Sequence, residues 1–137
     1  MKYNMKYNMK YNFFDYTLIA VVITGSILLV ETGLKEISFL LMLWLAPLVE
    51  EGFKVGGLLI FKPSAKSYYL TVALLFTLIE FFGNYSVGAS FWWMGLRLVP
   101  HFLFAVVFLW GMRKSVRFGF LSALITHATW NTLLILI

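Results

Sequence analysis

An all-α bundle of about five membrane-spanning helices is the fold that the sequence predicts, and three observations carry it. Hydrophobic residues make up 61% of the 137 residues and charged residues 12%, with a mean hydropathy of +0.87, outside the range of soluble globular domains. The apolar residues fall into five runs, approximately 13–30, 37–61, 68–82, 91–110 and 118–137, each near the length of helix that crosses a hydrocarbon core. Basic residues lie between these runs and not in one patch, which reports membrane topology and gives no reason to expect a nucleic-acid partner. There is no cysteine, so disulfides, thiolate catalysis and cysteine-based zinc sites are excluded.

Residues 1–12 are three copies of Met-Lys-Tyr-Asn, too short and polar to fold, and read as a low-complexity cytoplasmic lead to a five-helix transmembrane domain over 13–137. The lead's lysines followed by the first apolar run resemble the opening of a signal peptide. No small-residue cleavage site precedes Glu31, however, and four more apolar runs follow, so a retained first helix is expected. Asp15 falls in its first turn, where a solvated helix start is the plain reading.

The second run is the anomalous one. Its fourteen Leu, Ile, Val and Phe residues favour insertion by about 4 to 8 kcal/mol, while Glu50, Glu51 and Lys54 oppose it by about 7 to 10 kcal/mol. A segment so nearly balanced needs internal partners for its charges, which makes the three residues either a structural ion pair or a functional centre. Gly52 and Gly56 add a Gly-x-x-x-Gly spacing that predicts close helix packing. Lys62-Pro63-Ser64 then breaks the chain. The third run ends in a Gly/Asn/Ser-rich stretch, the fourth carries Trp92, Trp93 and Trp110 at its ends as interfacial belts, and the fifth follows a basic turn at 111–117.

Outside the runs, Lys and Arg number three in the lead, one in the first loop, two in the second, none in the third and three in the fourth. Alternate loops thus hold nearly all the positive charge, which predicts an integral multi-pass protein with its amino terminus in the cytoplasm and its carboxyl terminus outside.

Polar side chains inside the runs recur four residues apart: Glu50 with Lys54, Glu80 with Asn84, Arg97 with His101, and His127 with Asn131. Each pair shares a helix face. Measured from the cytoplasmic end of each run, Glu50 lies about 16 Å deep, Glu80 about 18 Å, and His101 and His127 about 14 Å each. Four helices therefore bring acids and imidazoles to one layer. A carboxylate beside an imidazole can take a proton from water, and a histidine with an asparagine can donate to an oxyanion, so the chemistry expected is hydrolysis. Lys54 and Arg97 would balance the carboxylates. Taken singly, each histidine also reads as a helix-bridging hydrogen-bonder.

In Ala46-Pro47 followed by Glu50-Glu51-x-x-Lys54, in Phe76-x-x-x-Glu80, in Arg97-x-x-Pro100-His101 and in His127-x-x-Trp130-Asn131, the chain resembles the PrsW-type intramembrane proteases of the CPBP superfamily of type II CAAX prenyl proteases and bacteriocin-processing enzymes. The resemblance implies an endopeptidase acting on a membrane-embedded or membrane-anchored peptide or protein. It implies that Glu50 helps activate water, that His127 and Asn131 bind the developing oxyanion, and that Glu51 with Lys54 or Arg97 holds the constellation in place. Glu80 stands where the prenyl-protease branch has a histidine, which leaves His101 to supply the imidazole. Two departures are Phe81, where an asparagine often follows the glutamate, and a small helix count that leaves substrate docking to a homo-oligomer or without a counterpart.

No cofactor is expected. Members of the superfamily are described both as metalloproteases and as metal-independent, and the absence of an HExxH spacing favours the metal-free form here, with zinc as the alternative. Two other functions fit the same residues: a non-catalytic membrane scaffold, as in the scaffold subunit of gamma-secretase, and a proton- or ion-coupled transporter using Glu50, Glu80 and the histidines as a relay. The lack of an inverted repeat weighs against transport.

Overall fold

The computed structural model describes residues 11–33, 39–86, 88 and 90–136; within that range some side chains, including those of Asn84 and Arg97, lie outside the described set. The described residues are all-helical, with no strand: α1 (Phe13–Gly33), α2 (Phe39–Phe61), α3 (Ala65–Ser86), α4 (Phe91–Met112) and α5 (Val116–Leu136). Most of the repeated lead, and the first loop with Lys35, fall outside the described residues.

Local chemistry sets the helix ends. The Asn12 side chain accepts from the Asp15 N–H at 3.0 Å, and the Asp15 carboxylate accepts from the Asn12 N–H at 2.9 Å, a reciprocal cap that opens α1. Asp15 is thus a capping residue. Tyr11 donates its hydroxyl to the Phe61 carbonyl, so the last two residues of the repeat are tied into the fold. Lys62, at φ 51°, stops α2 in the left-handed conformation while its N–H still reaches the Leu58 carbonyl at 3.0 Å, satisfying a carbonyl that would otherwise be orphaned. Ser115 caps α5 by accepting the Phe118 N–H at 3.0 Å.

The helices form a closed ring in the order α1, α3, α4, α5, α2, each packed on its two neighbours, with α2 also touching α3. Glycines permit the tightest approaches. A Cβ on Gly119 would lie 2.8 Å from the Phe108 carbonyl, which fixes the α4–α5 crossing, and one on Gly57 would lie 2.8 Å from Ile23 of α1 and also strike the Tyr68 hydroxyl of α3. Gly52 and Gly56, expected from their spacing to pack closely, have nothing within 4 Å of a built Cβ. The packing glycine is Gly57, one position on, because the neighbours of α2 lie about 100° round the helix from the Gly-x-x-x-Gly face.

The buried apolar core runs between α1, α2, α3 and α4, through Ile23, Ile27, Leu58, Tyr68, Tyr69, Val72, Phe76 and Phe108. Against the ordinary arrangement, Leu18, Ile60, Val99 and Ile125 face outward, whereas Glu50, Glu51, Lys54, His101 and His127 are buried. Two helices, over Ala65–Phe82 and Val116–Ile135, are long and apolar enough to cross a membrane; the apolar stretches Phe14–Val30 and Val99–Met112 are shorter. The three charges of α2 set it apart from the rest.

Candidate functional site

Two helices supply the centre of the polar cluster. On α2, Glu50, Glu51 and Lys54 occupy one turn, which places an ammonium three and four residues after the two acids, the spacing at which helical side chains meet. Lys54 Nζ lies 2.8 Å from Glu51 Oε1 and 3.6 Å from Glu50 Oε2. From α5, His127 reaches in between: its Nδ1 is 3.3 Å from Glu51 Oε1 and its Nε2 3.8 Å from Glu50 Oε1. All four side chains are buried.

The two adjacent acids are expected, from their angular separation on a helix, to point apart, with Glu50 as the reactive one and Glu51 as support. Both instead converge on Lys54 and His127, since flexible side chains can turn back across the gap between neighbouring positions. Glu51 is the more enclosed and makes the shorter contacts to both partners. Asn131, expected to share an oxyanion site with His127, is half-buried one turn further along α5 and makes no hydrogen bond to the cluster among the described residues. The two ring nitrogens of His127 face carboxylates, so in this arrangement it bridges the two acids.

A second pair stands beside the first. His101 Nε2 on α4 lies 3.0 Å from Glu80 Oε2 on α3, and the His101 ring is 6.0 Å from that of His127, edge to face. Three aromatic neighbours complete this environment, of which the sequence singles out only Phe76, through its motif with Glu80. Phe104 stacks on His127 at 4.1 Å with an interplanar angle of 20°. Phe76 lies under the Lys54 ammonium at 5.0 Å and within 5.2 Å of His101. Tyr68 donates to the Lys54 carbonyl at 2.9 Å. The position of Phe104 three residues after His101, on the same face, is the one sequence signal that points to it. Arg97 lies on α4 one turn before His101, and Asn84 one turn after Glu80; both side chains are outside the described residues.

Between the two pairs runs a narrow cleft lined by Glu51, Lys54, Tyr69, Ala73, His101 and Ala105, too tight to admit a water molecule without side-chain movement.

Glu50, Glu51 and His127 each offer a ligand atom within 4.8 Å of the others, the donor chemistry of a metal site. Lys54 argues against it. Its ammonium already bridges both carboxylates, and a divalent ion added there would set like charges together where water does little to screen them. The donor set does not fit a metal while Lys54 is charged. What the arrangement can do is hold two carboxylates beside an ammonium and an imidazole, the equipment for moving a proton to and from water. Compared with known proteins, the chain matches no family model, no curated protein and no solved structure.

Proposed function

We propose that this chain is an integral membrane protein of five spans, with a cytoplasmic amino terminus and an outer carboxyl terminus, that hydrolyses a peptide bond of a membrane-embedded or membrane-anchored substrate as a PrsW-type intramembrane protease. The observation that carries the reading is the meeting of Glu50, Glu51 and Lys54 from one helix with His127 from another, 76 residues from Glu51, in a buried cluster. The inside-out distribution of polarity supports the membrane setting: ionisable groups in hydrocarbon face other helices, and apolar side chains face lipid.

In this reading Glu50 takes the proton of the attacking water. It is the better placed of the two acids, since its Oε2 accepts no hydrogen bond while both of its oxygens lie near a cationic or imidazole nitrogen. Glu51 and Lys54 hold their neighbours in register, and His127 steadies the acids from the opposite side. Glu50→Ala and His127→Ala are each expected to abolish cleavage of an anchored peptide in a reconstituted membrane, with both variants still inserted and helical. Activity retained in both would sink the proposal.

The closed cleft favours a second reading, a non-catalytic scaffold whose polar core fixes helix packing. That reading expects the same two variants to lose stability or partner assembly, and the purified wild-type protein to hydrolyse nothing.

A further inference from the structure

Besides the α2–α5 cluster, Glu80 with His101 is the acid–imidazole contact that the described residues place in the core, and its construction is different. The Glu80 carboxylate is 33% exposed and the His101 ring 4%, so the acid reaches the margin of the bundle while the imidazole faces inward. Glu80 engages Nε2 at 3.0 Å, which in the neutral ring keeps the hydrogen there and leaves Nδ1 as the nitrogen that gains and loses a proton. That Nδ1 is buried and has no hydrogen-bond partner. A histidine serving only to bridge helices would have its bridge in Nε2 and no use for an unpaired inner nitrogen, since an unsatisfied buried group weakens the fold.

We propose that His101 is the acid that protonates the leaving nitrogen, with Glu80 as its positioning residue; this rests on the hydrolytic reading above. His101 lines the cleft together with Glu51 and Lys54, and its ring lies 6.0 Å from that of His127, whose Nε2 is 3.8 Å from Glu50. In the proposed pose, an amide drawn into the opened cleft presents its carbonyl carbon to Glu50 and its nitrogen to His101. The groups facing His101 are Glu80 and Tyr69 from α3, Glu51 and Lys54 from α2 and His127 from α5.

The step balances as follows. Water forms the new C–O bond as its proton passes to Glu50 and the carbonyl π pair moves onto oxygen. On collapse that pair restores the carbonyl, the C–N bond breaks with its electrons on nitrogen, and the Nδ1 proton of the His101 imidazolium passes to that nitrogen. After the products leave, the proton on Glu50 returns to Nδ1 through solvent entering the opened cleft. One water is consumed, and neither residue is changed.

The test uses the full chain in phospholipid nanodiscs with two probes on one leucine–alanine anchor helix: an internally quenched peptide amide, and a para-nitrophenyl ester whose leaving group departs without a proton. His101→Gln is expected to lower the amide-to-ester rate ratio by about 10²- to 10⁴-fold, the span of one general acid. Glu80→Gln is expected to lower it less, and nitrogen NMR of histidine-labelled protein is expected to show the Nε2–H tautomer of His101 lost in that variant. An unmoved ratio in His101→Gln, equal loss on both probes, or an unaltered tautomer in Glu80→Gln overturns the assignment. A wild-type protein that cleaves neither probe overturns the hydrolytic reading itself, and this assignment with it, a result distinct from an active enzyme whose ratio does not move.

Discussion

Removing the ammonium at Lys54 tests the energetic core of the site. At 2.8 Å from Glu51 and 3.6 Å from Glu50, Coulomb's law with an effective dielectric constant of about 20 gives attractions of roughly 6 and 5 kcal/mol. Those figures are gross, since burying three charges offsets most of them, and a hydrophobic replacement of the whole set could be neutral. Deleting one partner is another matter, because both carboxylates then stay buried with their main counter-charge gone. Lys54→Met, close in volume, is therefore expected to destabilise the bundle by about 3 to 5 kcal/mol. The companion double variant, Glu51→Gln with Lys54→Met, removes the more enclosed of the two stranded charges and is expected to recover at least half of the loss, a coupling measured by the double-mutant cycle. Unfolding in mixed dodecyl maltoside and dodecyl sulfate micelles, followed by helical circular dichroism, reads both values. A Lys54→Met loss below about 1 kcal/mol, in the range of an exposed pair, or a double variant as unstable as the sum of the singles, refutes the reasoning.

Two packing predictions follow from the same region. Gly57→Ala places a Cβ against Ile23 and the Tyr68 hydroxyl, and an overpacked crossing of this kind costs about 1 to 3 kcal/mol; Gly56→Ala, with nothing within 4 Å, is expected to be neutral or stabilising by up to about 1 kcal/mol through helix propensity, and the same micelle unfolding compares them. Tyr68→Phe deletes the donor to the Lys54 carbonyl and is expected to cost about 1 kcal/mol, with the larger effect in faster amide exchange along the turn that carries Lys54.

Much of the fold is legible because helices that are apolar on both their inner and outer faces need length, and both properties are written as long runs. The limits of the runs are less so. The third run reads as 68–82, whereas α3 spans Ala65–Ser86, because Lys66 and Ser67 continue the helix in polar surroundings where hydropathy carries no signal. In the site, the four-residue spacing of Glu50 and Lys54 and the matched depths of His101 and His127 foretell which side chains can meet. The spacing rule fails for Glu50 against Glu51 and for Gly56 against Gly57. In both cases it treats a residue as a fixed vector, whereas a glutamate can swing its carboxylate back across the helix and the direction of a partner helix is a tertiary fact. Phe104 was silent for a related reason. One phenylalanine among fourteen carries no mark of having an imidazole on its face.

Prolines enter two of the helices at the same level as the polar side chains. Pro47 lies inside α2 three residues before Glu50, and Pro100 inside α4 directly before His101. Each removes an N–H and so releases a carbonyl one turn back, at Leu43 and Leu96, a loss tolerated away from water only where neighbouring helices or a polar interior can answer it. Both prolines are buried, so their rings pack against protein. A helix that must turn acids or an imidazole inward already needs partners on that face, and a proline there adds one more group for the same partners to satisfy. Placing the two demands together confines the costly positions of α2 and α4 to one layer and leaves the remaining turns of each helix free to present apolar side chains outward.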